Sequence, residues 1–453
     1  MTDASTTSRP LFNRQQLISL FLPLVAEQAL SISIGLADTL MVSSVGEAAV
    51  SGVSLVDSFN VLMIQLLSAL ATGGAVVASQ YIGHREPKRA KASAAQIMFI
   101  MISLSVVTAV IVAVGRHAIL RGIFGSIDAD VMRYAETYFL LSALSYPFIG
   151  VYNAGAALFR AQGNSKISML SSLVMNVVNI GGNAILIYRF GMGVMGAATA
   201  SLVSRMIACF TVMFLLQKPD CALRIDHLTD LKPDLDLIKR ILKVGIPAGI
   251  ENGMFQIGML LVAGLITTFG TSAIAANAIC NNVGSMSNIP GSAIGLAMIT
   301  VVGQCVGAKD YQQARHYTKT LLAAAYVSMG LLNIALFLLA PYLVGFYAMP
   351  QTTTDLALSV LQVNCVVTVL IWPSSFTLPN ALRAAGDARF TMVTSMVSMW
   401  VFRIGMSYVL GAWLGMGLFG VWTAMQIDWA VRSLVFGVRF LGHKWEKARV
   451  LEG

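Results

Sequence analysis

Leu17 to Val42 reads LISLFLPLVAEQALSISIGLADTLMV, and this stretch decides the class of the chain. It is long enough to cross a bilayer, which takes about 20 apolar residues of helix. It nevertheless carries Pro23, Glu27 and Asp38. The two acids stand eleven residues apart, so at about 100° per residue they share one helix face with about 16 Å between them. A carboxylate at the centre of a membrane helix costs about 2.5–3.5 kcal/mol on insertion scales. A helix that keeps two on one face is expected to line a polar cavity.

The rest of the chain fits a membrane setting. Of its 453 residues, 57% are hydrophobic and 11% charged, with a mean hydropathy of +0.75. Soluble domains carry about 25% charged residues. The apolar runs are continuous rather than alternating, which favours helices over a barrel. An all-α polytopic membrane protein is therefore expected. Its net charge of +9 is assigned to loops on the cytoplasmic side and not to nucleic acid.

Twelve segments are read, at 17–42, 50–82, 94–114, 131–158, 167–188, 194–217, 245–268, 274–306, 318–345, 355–382, 389–412 and 418–441. With the N-terminus inside, 23 Lys and Arg fall on the cytoplasmic side and four on the other: Arg116, Arg121, Arg133 and Arg189. That contrast places both termini in the cytoplasm. Arg9 and Arg14 precede the first segment without a small-residue cleavage site, so an uncleaved first helix is expected. The expected organisation is a tail at 1–16, an N-lobe at 17–217, a cytoplasmic linker at 218–243, a C-lobe at 244–441 and a tail at 442–453. Within the linker, Leu235, Ile238 and Leu242 read as a short amphipathic surface helix.

The chain is duplicated. Leu22-Pro23-x-x-x-Glu27 returns 224 residues later as Ile246-Pro247-x-x-x-Glu251. At the same offset Gln80-x-x-Gly83 matches Gln304-x-x-Gly307, and Gly191-Met-Gly193-x-x-Gly196 matches Gly415-Met-Gly417-x-x-Gly420. Arg160-Ala-x-Gly163 matches Arg383-Ala-x-Gly386 at offset 223, so one residue is gained or lost nearby. Asp38 has no counterpart, because position 262 is Val. Six segments per half return the chain to the same side. The halves are therefore parallel repeats, expected to form two lobes around a central cavity.

Asp38 is the leading candidate for chemistry, since ionisable groups inside the membrane are functional by default. A carboxyl taken out of water favours its protonated form, so Asp38 is a candidate proton carrier. Left ionised, it is a candidate Na⁺ ligand with neighbouring oxygens. Asn176, Asn179 and Asn183 follow at i, i+3, i+7 and put three amides on one face of segment 5. They read either as that cation site or as hydrogen bonds between helices. Glu27 and Glu251 read as cavity-lining acids for a cationic substrate, the alternative being a structural bond within each lobe. Gln65 and Asn282 are taken as further polar residues of the cavity. Asp428 and Arg432, at i, i+4, read as an internal ion pair. Arg205 and Arg403 have no partner in sequence.

Other signals point away from enzyme chemistry. The two G-x-G-x-x-G strings lack a strand and a βαβ context, so they mark tight helix turns and not a dinucleotide site. No H-E-x-x-H, nucleophile elbow or Cys/His cluster occurs. The five Cys read as reduced and structural. No cofactor and no metal site is expected, apart from Na⁺ at Asp38. The six Trp all lie in the second half and read mainly as interface belts.

Taken together, the twelve segments in two halves, the paired Gln-x-x-Gly and Arg-Ala-x-Gly motifs, the glycine links and the Asp late in segment 1 make the chain resemble the MATE family, the multidrug and toxic compound extrusion transporters of bacteria. The resemblance covers nearly all of residues 15–441. It implies a secondary antiporter of the bacterial inner membrane, exporting organic cations or amphipathic toxins against H⁺ or Na⁺ by alternating access. In the family the segment 1 Asp works with an Asn and an acid in segment 5. Asp38 and Asn179 match, while Asn183 replaces the acid with an amide. Glu251 lies one turn nearer the proline than a second family pattern expects. The alternatives are a lipid-linked sugar flippase of the same superfamily or a metabolite exporter. The acids Glu27, Asp38, Asp57, Glu251 and Asp428 outnumber the three segment-borne Arg and favour cationic cargo. A monomer is expected.

Overall fold

The computed structural model describes residues 10–125, 128–225, 232–448 and 450–451. Arg9 and Arg449, counted with the cytoplasmic Lys and Arg, lie outside them, as do parts of the expected tails and linker. Twelve helical segments follow one another, each overlapping one read from the sequence. They are α1 Arg14–Ser43, α2 Glu47–Gly83, α3 Pro87–Phe124, α4 Ala129–Ala161, α5 Ser165–Arg189 and α6 Gly193–Leu216. The second half comprises α7 Leu235–Thr267, α8, α9 Tyr311–Gly345, α10 Gln351–Ala384, α11 Ala388–Trp413 and α12 Gly417–Leu441. Segment α8 is two helices, Thr271–Ser287 and Ile289–Gly307, broken where Pro290 follows Asn288. No strand occurs among the described residues.

Ten of the described helices are long and apolar enough to cross a membrane. Both α4 and α12 fall outside those ten by composition, and they turn polar side chains inward. Tyr138, Ser142 and Ser145 of α4 and Gln426, Asp428 and Arg432 of α12 are buried inside the protein. Helices α1–α6 form one lobe and α7–α12 the other.

Local chemistry sets the helix ends. Asn13 and Gln16 form a reciprocal capping box at the start of α1. The G-x-G-x-x-G strings are the α5–α6 and α11–α12 turns. Gly191 and Gly193 have φ of +66° and +55°, and Gly415 and Gly417 have +70° and +55°. That conformation suits glycine. The one-residue difference between halves is taken up in α11, which has 26 residues against 25 in α5. There Met399–Gly405 widens into π turns.

Three expectations change. Leu235–Leu242 is not a separate surface helix. It forms the first turns of α7, capped by Asp234, with Leu237 and Ile241 buried against the N-lobe. Four of the six Trp are buried, namely Trp372, Trp422, Trp429 and Trp445, so core packing outweighs interface anchoring. Finally, the lobes exchange their leading residues. Leu20 and Leu24 of α1 pack into the C-lobe core, while Leu237, Ile241 and Val244 of α7 pack into the N-lobe core.

The seam between lobes is closest where the twin Gln-x-x-Gly motifs meet. A Cβ on Gly83 would lie 2.0 Å from the carbonyl oxygen of Gln304, and one on Gly307 would lie 2.0 Å from that of Gln80. The Gln80 amide donates to the Ala384 carbonyl at 2.7 Å, and the Gln304 amide to the Ala161 carbonyl at 2.8 Å. Each glutamine thus closes the end of a helix in the opposite lobe, and satisfies a carbonyl that the helix leaves without a partner.

Candidate functional site in the N-lobe

Helix α1 packs along α5. Its two acids meet opposite ends of that helix. Towards the end of α1, the Asn183 amide donates to Asp38 Oδ1 at 2.5 Å. Asn183 also reaches Asn179 Oδ1 at 3.4 Å, and the Asn179 amide donates to the Ser201 hydroxyl of α6 at 3.1 Å. Asn179 and Asn183 are buried, and Asp38 is half-buried. Immediately after Asn183, Ala184–Arg189 widens into π turns, a distortion frequent at functional sites. Asn176 is buried beside this group, but its amide bonds the Ser172 carbonyl of its own helix at 2.9 Å.

A second polar group adjoins the first through α6. The Arg205 guanidinium donates to Ser145 at 2.6 Å, one turn beyond Ser201. Asp57 of α2 accepts from the Tyr138 hydroxyl at 3.1 Å and from the Asn60 amide at 3.3 Å. Asn60 is held in turn by Ser142 at 3.1 Å and Tyr146 at 2.8 Å. Arg205 lies within electrostatic reach of both Asp38 and Asp57. In the sequence Asp57 was counted among the segment-borne acids and was not read as a member of the Asp38 site. The Asp57 and Asn60 spacing of i, i+3 was the available signal.

The other acids are paired. Arg160 Nη1 donates to Glu27 Oε1 at 2.8 Å, and Ser168 donates to Glu27 Oε2 at 2.7 Å. In the other repeat, Arg383 donates to Glu251 at 2.7 Å. Asp428 is ion-paired to Arg432 at 2.9 Å and to Arg403 at 3.9 Å, and accepts from Ser398 at 2.6 Å. Arg403 and Arg432 both lie over the Phe255 ring. Gln65 and Asn282 are exposed and join neither group, with Asn282 donating to Tyr347 at 3.5 Å.

These pairings revise the charge count. Arg160 and Arg383, counted with the loops in the sequence, answer Glu27 and Glu251 inside the bundle. Five acids therefore face five Arg, and the excess that favoured cationic cargo disappears. The balance differs between lobes. Asp38 and Asp57 share Arg205, whereas Arg403 and Arg432 share Asp428. Among the described residues no three His, Cys, Asp or Glu cluster as a metal site, and the five Cys are free thiols. The Asp38 carboxylate, which accepts from the Asn183 amide, supplies the hard oxygen that a proton or a monovalent cation takes.

The MatE family model matches residues 23–185 and again residues 247–409, the same 224-residue displacement seen in the motifs. The uncharacterized transporter YisQ of Bacillus subtilis is 26% identical over 457 residues, covering 98% of this chain and 97% of that protein. The probable multidrug resistance protein NorM of Thermotoga maritima is 26% identical over 446 residues, covering 97% and 94%. Among solved structures, a multidrug resistance MATE family transporter in an outward-facing conformation aligns with a TM-score of 0.88 at 22% identity, over 96% of this chain and 95% of that one. A MOP superfamily transporter from Pyrococcus furiosus aligns with a TM-score of 0.86 at 22% identity, over 96% and 95%. With the family unit present twice across two six-helix lobes, the chain belongs to the MatE family.

Proposed function

We propose that the protein is a secondary antiporter that exports amphipathic organic compounds, organic cations among them, in exchange for H⁺ or Na⁺. The observation that carries this reading is the bond from Asn183 to Asp38, backed by Asn179 and Ser201. Relatives named as multidrug resistance proteins support the cargo class. The strongly basic face of the loops supports a bacterial cytoplasmic membrane with both termini inside.

Coupling requires that ion and substrate favour different states of the lobes. Helix α1 is suited to link them. Asp38 near one end belongs to the N-lobe network, while Leu20 and Leu24, which flank Pro23 near the other end, sit in the C-lobe core. Neutralising Asp38 changes its bond to α5, and α1 carries that change to the seam.

The test is uptake of a fluorescent organic cation by liposomes containing the purified protein, under a pH gradient and then a Na⁺ gradient. Uptake driven by one gradient and abolished by Asp38→Asn is the expected result, and it names the coupling ion. Uptake that survives Asp38→Asn removes Asp38 from the role. Failure of both gradients removes the antiporter reading, and a lipid-scrambling assay on the same liposomes then tests a flippase.

A further inference from the structure

Asn183 stands where the family resemblance leads one to expect an acid, which leaves Asp38 without a partner carboxylate on α5. The fold brings one in from a different helix. Asp57 lies on α2, and its carboxylate is held by Tyr138 and Asn60 at 3.1 and 3.3 Å. Asn60 is fixed by two further bonds from α4, to Ser142 and from Tyr146. This is a built environment, since Asn60, Tyr138 and Tyr146 are all buried.

Depth connects the two acids. Asp38 is five residues before the end of α1 at Ser43, and Asp57 is ten residues after the start of α2 at Glu47. At about 1.5 Å per residue they lie about 7.5 and 15 Å from the same end of the bundle. A cation arriving from that end meets Asp38 first and Asp57 about 7.5 Å further in. Arg205 of α6, which donates to Ser145, is close enough for its charge to act on both. The charged and titratable groups facing this site are Asp38 from α1, Asp57 from α2, Tyr138 and Tyr146 from α4 and Arg205 from α6. Helix α5 contributes amides only. With both acids ionised and Arg205 charged, the group carries one net negative charge, which one monovalent cation neutralises.

We propose that Asp57 is the second acidic member of the coupling site, and that one exchangeable monovalent cation passes between Asp38 and Asp57, both within the field of Arg205. This rests on the assignment of Asp38 as the coupling residue. Asp57 thus fills from α2 the role that Asn183 does not fill from α5. Tyr138 and Asn60 fix its carboxylate in place.

The experiment uses the full chain in liposomes, with uptake of the same fluorescent cation read against the concentration of the driving ion. The variants are Asp38→Asn, Asp57→Asn, Asp57→Glu and the double variant Asp57→Asn with Asn183→Asp. Each is first checked for a wild-type melting curve in detergent. Asp57→Asn is expected to lower uptake by more than about tenfold and to weaken its dependence on the driving ion. Asp57→Glu keeps most of the activity. The acid added at position 183 restores Asp57→Asn, a rescue that a purely structural Asp57 does not allow. Asp57→Asn with wild-type uptake and ion dependence, or a folded double variant without rescue, overturns the inference. Asp38→Asn separates the two claims. If it is silent, the parent reading fails. If it is inactive while Asp57→Asn is silent, only the role of Asp57 fails.

Discussion

Glu251 and Arg383 stand 132 residues apart in sequence and 2.7 Å apart in the fold, and Glu27 and Arg160 repeat the pair in the other lobe at 2.8 Å. Each pair ties the stretch just after a helix proline to the end of a helix three segments on. The four side chains are largely buried. Removing one partner leaves a charge without compensation, which costs about 3–5 kcal/mol when burial is complete. Glu251→Gln and Arg383→Met are each expected to lower the melting temperature, and Glu251→Leu combined with Arg383→Met to recover most of the loss. Thermal unfolding in detergent, followed through the buried tryptophans, checks this. Single variants that melt like the wild type remove the structural role.

The two Arg beside Asp428 are not equivalent. Arg432 bonds Asp428 at 2.9 Å and also donates to the Ser395 carbonyl at 3.0 Å. Arg403 approaches Asp428 only to 3.9 Å. Arg432→Leu is expected to destabilise by about 3 kcal/mol because it leaves Asp428 an Arg only at 3.9 Å, while Arg403→Leu stays within about 1 kcal/mol because the hydrogen-bonded pair remains. Melting curves of the two variants decide the order. Equal losses contradict it.

At Gly83 a Cβ meets the backbone of Gln304 rather than a movable side chain. Gly83→Ala and Gly307→Ala are each expected to cost at least about 1–3 kcal/mol by forcing α2 and α8 apart. Gly122→Ala on α3 has nothing within 4 Å of its Cβ and serves as the control. Expression yield and thermal stability of the three variants give the comparison.

Gln80 and Gln304 hold the lobes together at the same place. Losing one such hydrogen bond is worth about 1 kcal/mol, or about a fivefold shift between closed and open forms. Cys305, fully buried beside Gln304, reports the opening. Maleimide labelling of Cys305 is expected to accelerate in Gln80→Ala and Gln304→Ala, while Cys280 in the C-lobe core keeps its rate. Unchanged Cys305 labelling argues against a latch at the seam.

Much of this architecture was legible because membrane helices announce themselves through apolar length, and a duplication through repeated motifs. The glycine turns fell where positive φ is required. The Asp428–Arg432 pair was read from its i, i+4 spacing, but the pairs of Glu27 with Arg160 and Glu251 with Arg383 were not, since helix periodicity says nothing about groups on different helices. A signal was nevertheless present. An acid after a proline and an Arg before Ala-x-Gly are duplicated together, so a charge of each sign is kept in both copies. The amphipathic start of α7 misled because its apolar face meets the opposite lobe and not the membrane surface. Asp57 was counted as a segment acid but not placed beside Asp38, because its depth depends on where α2 begins.

The reciprocity at the seam has a consequence for how such a chain can be divided. Gln80 serves Ala384 and Gln304 serves Ala161, while Gly83 faces Gln304 and Gly307 faces Gln80. Residue i meets j, and the equivalent of j meets the equivalent of i. That is the rule of an isologous dimer interface. A polypeptide of half this length, closing on a copy of itself, would satisfy the same contacts. The single chain keeps homodimer geometry at its seam while freeing each half to differ elsewhere. Only such freedom allows the Asp at position 38 to have a Val as its counterpart at position 262.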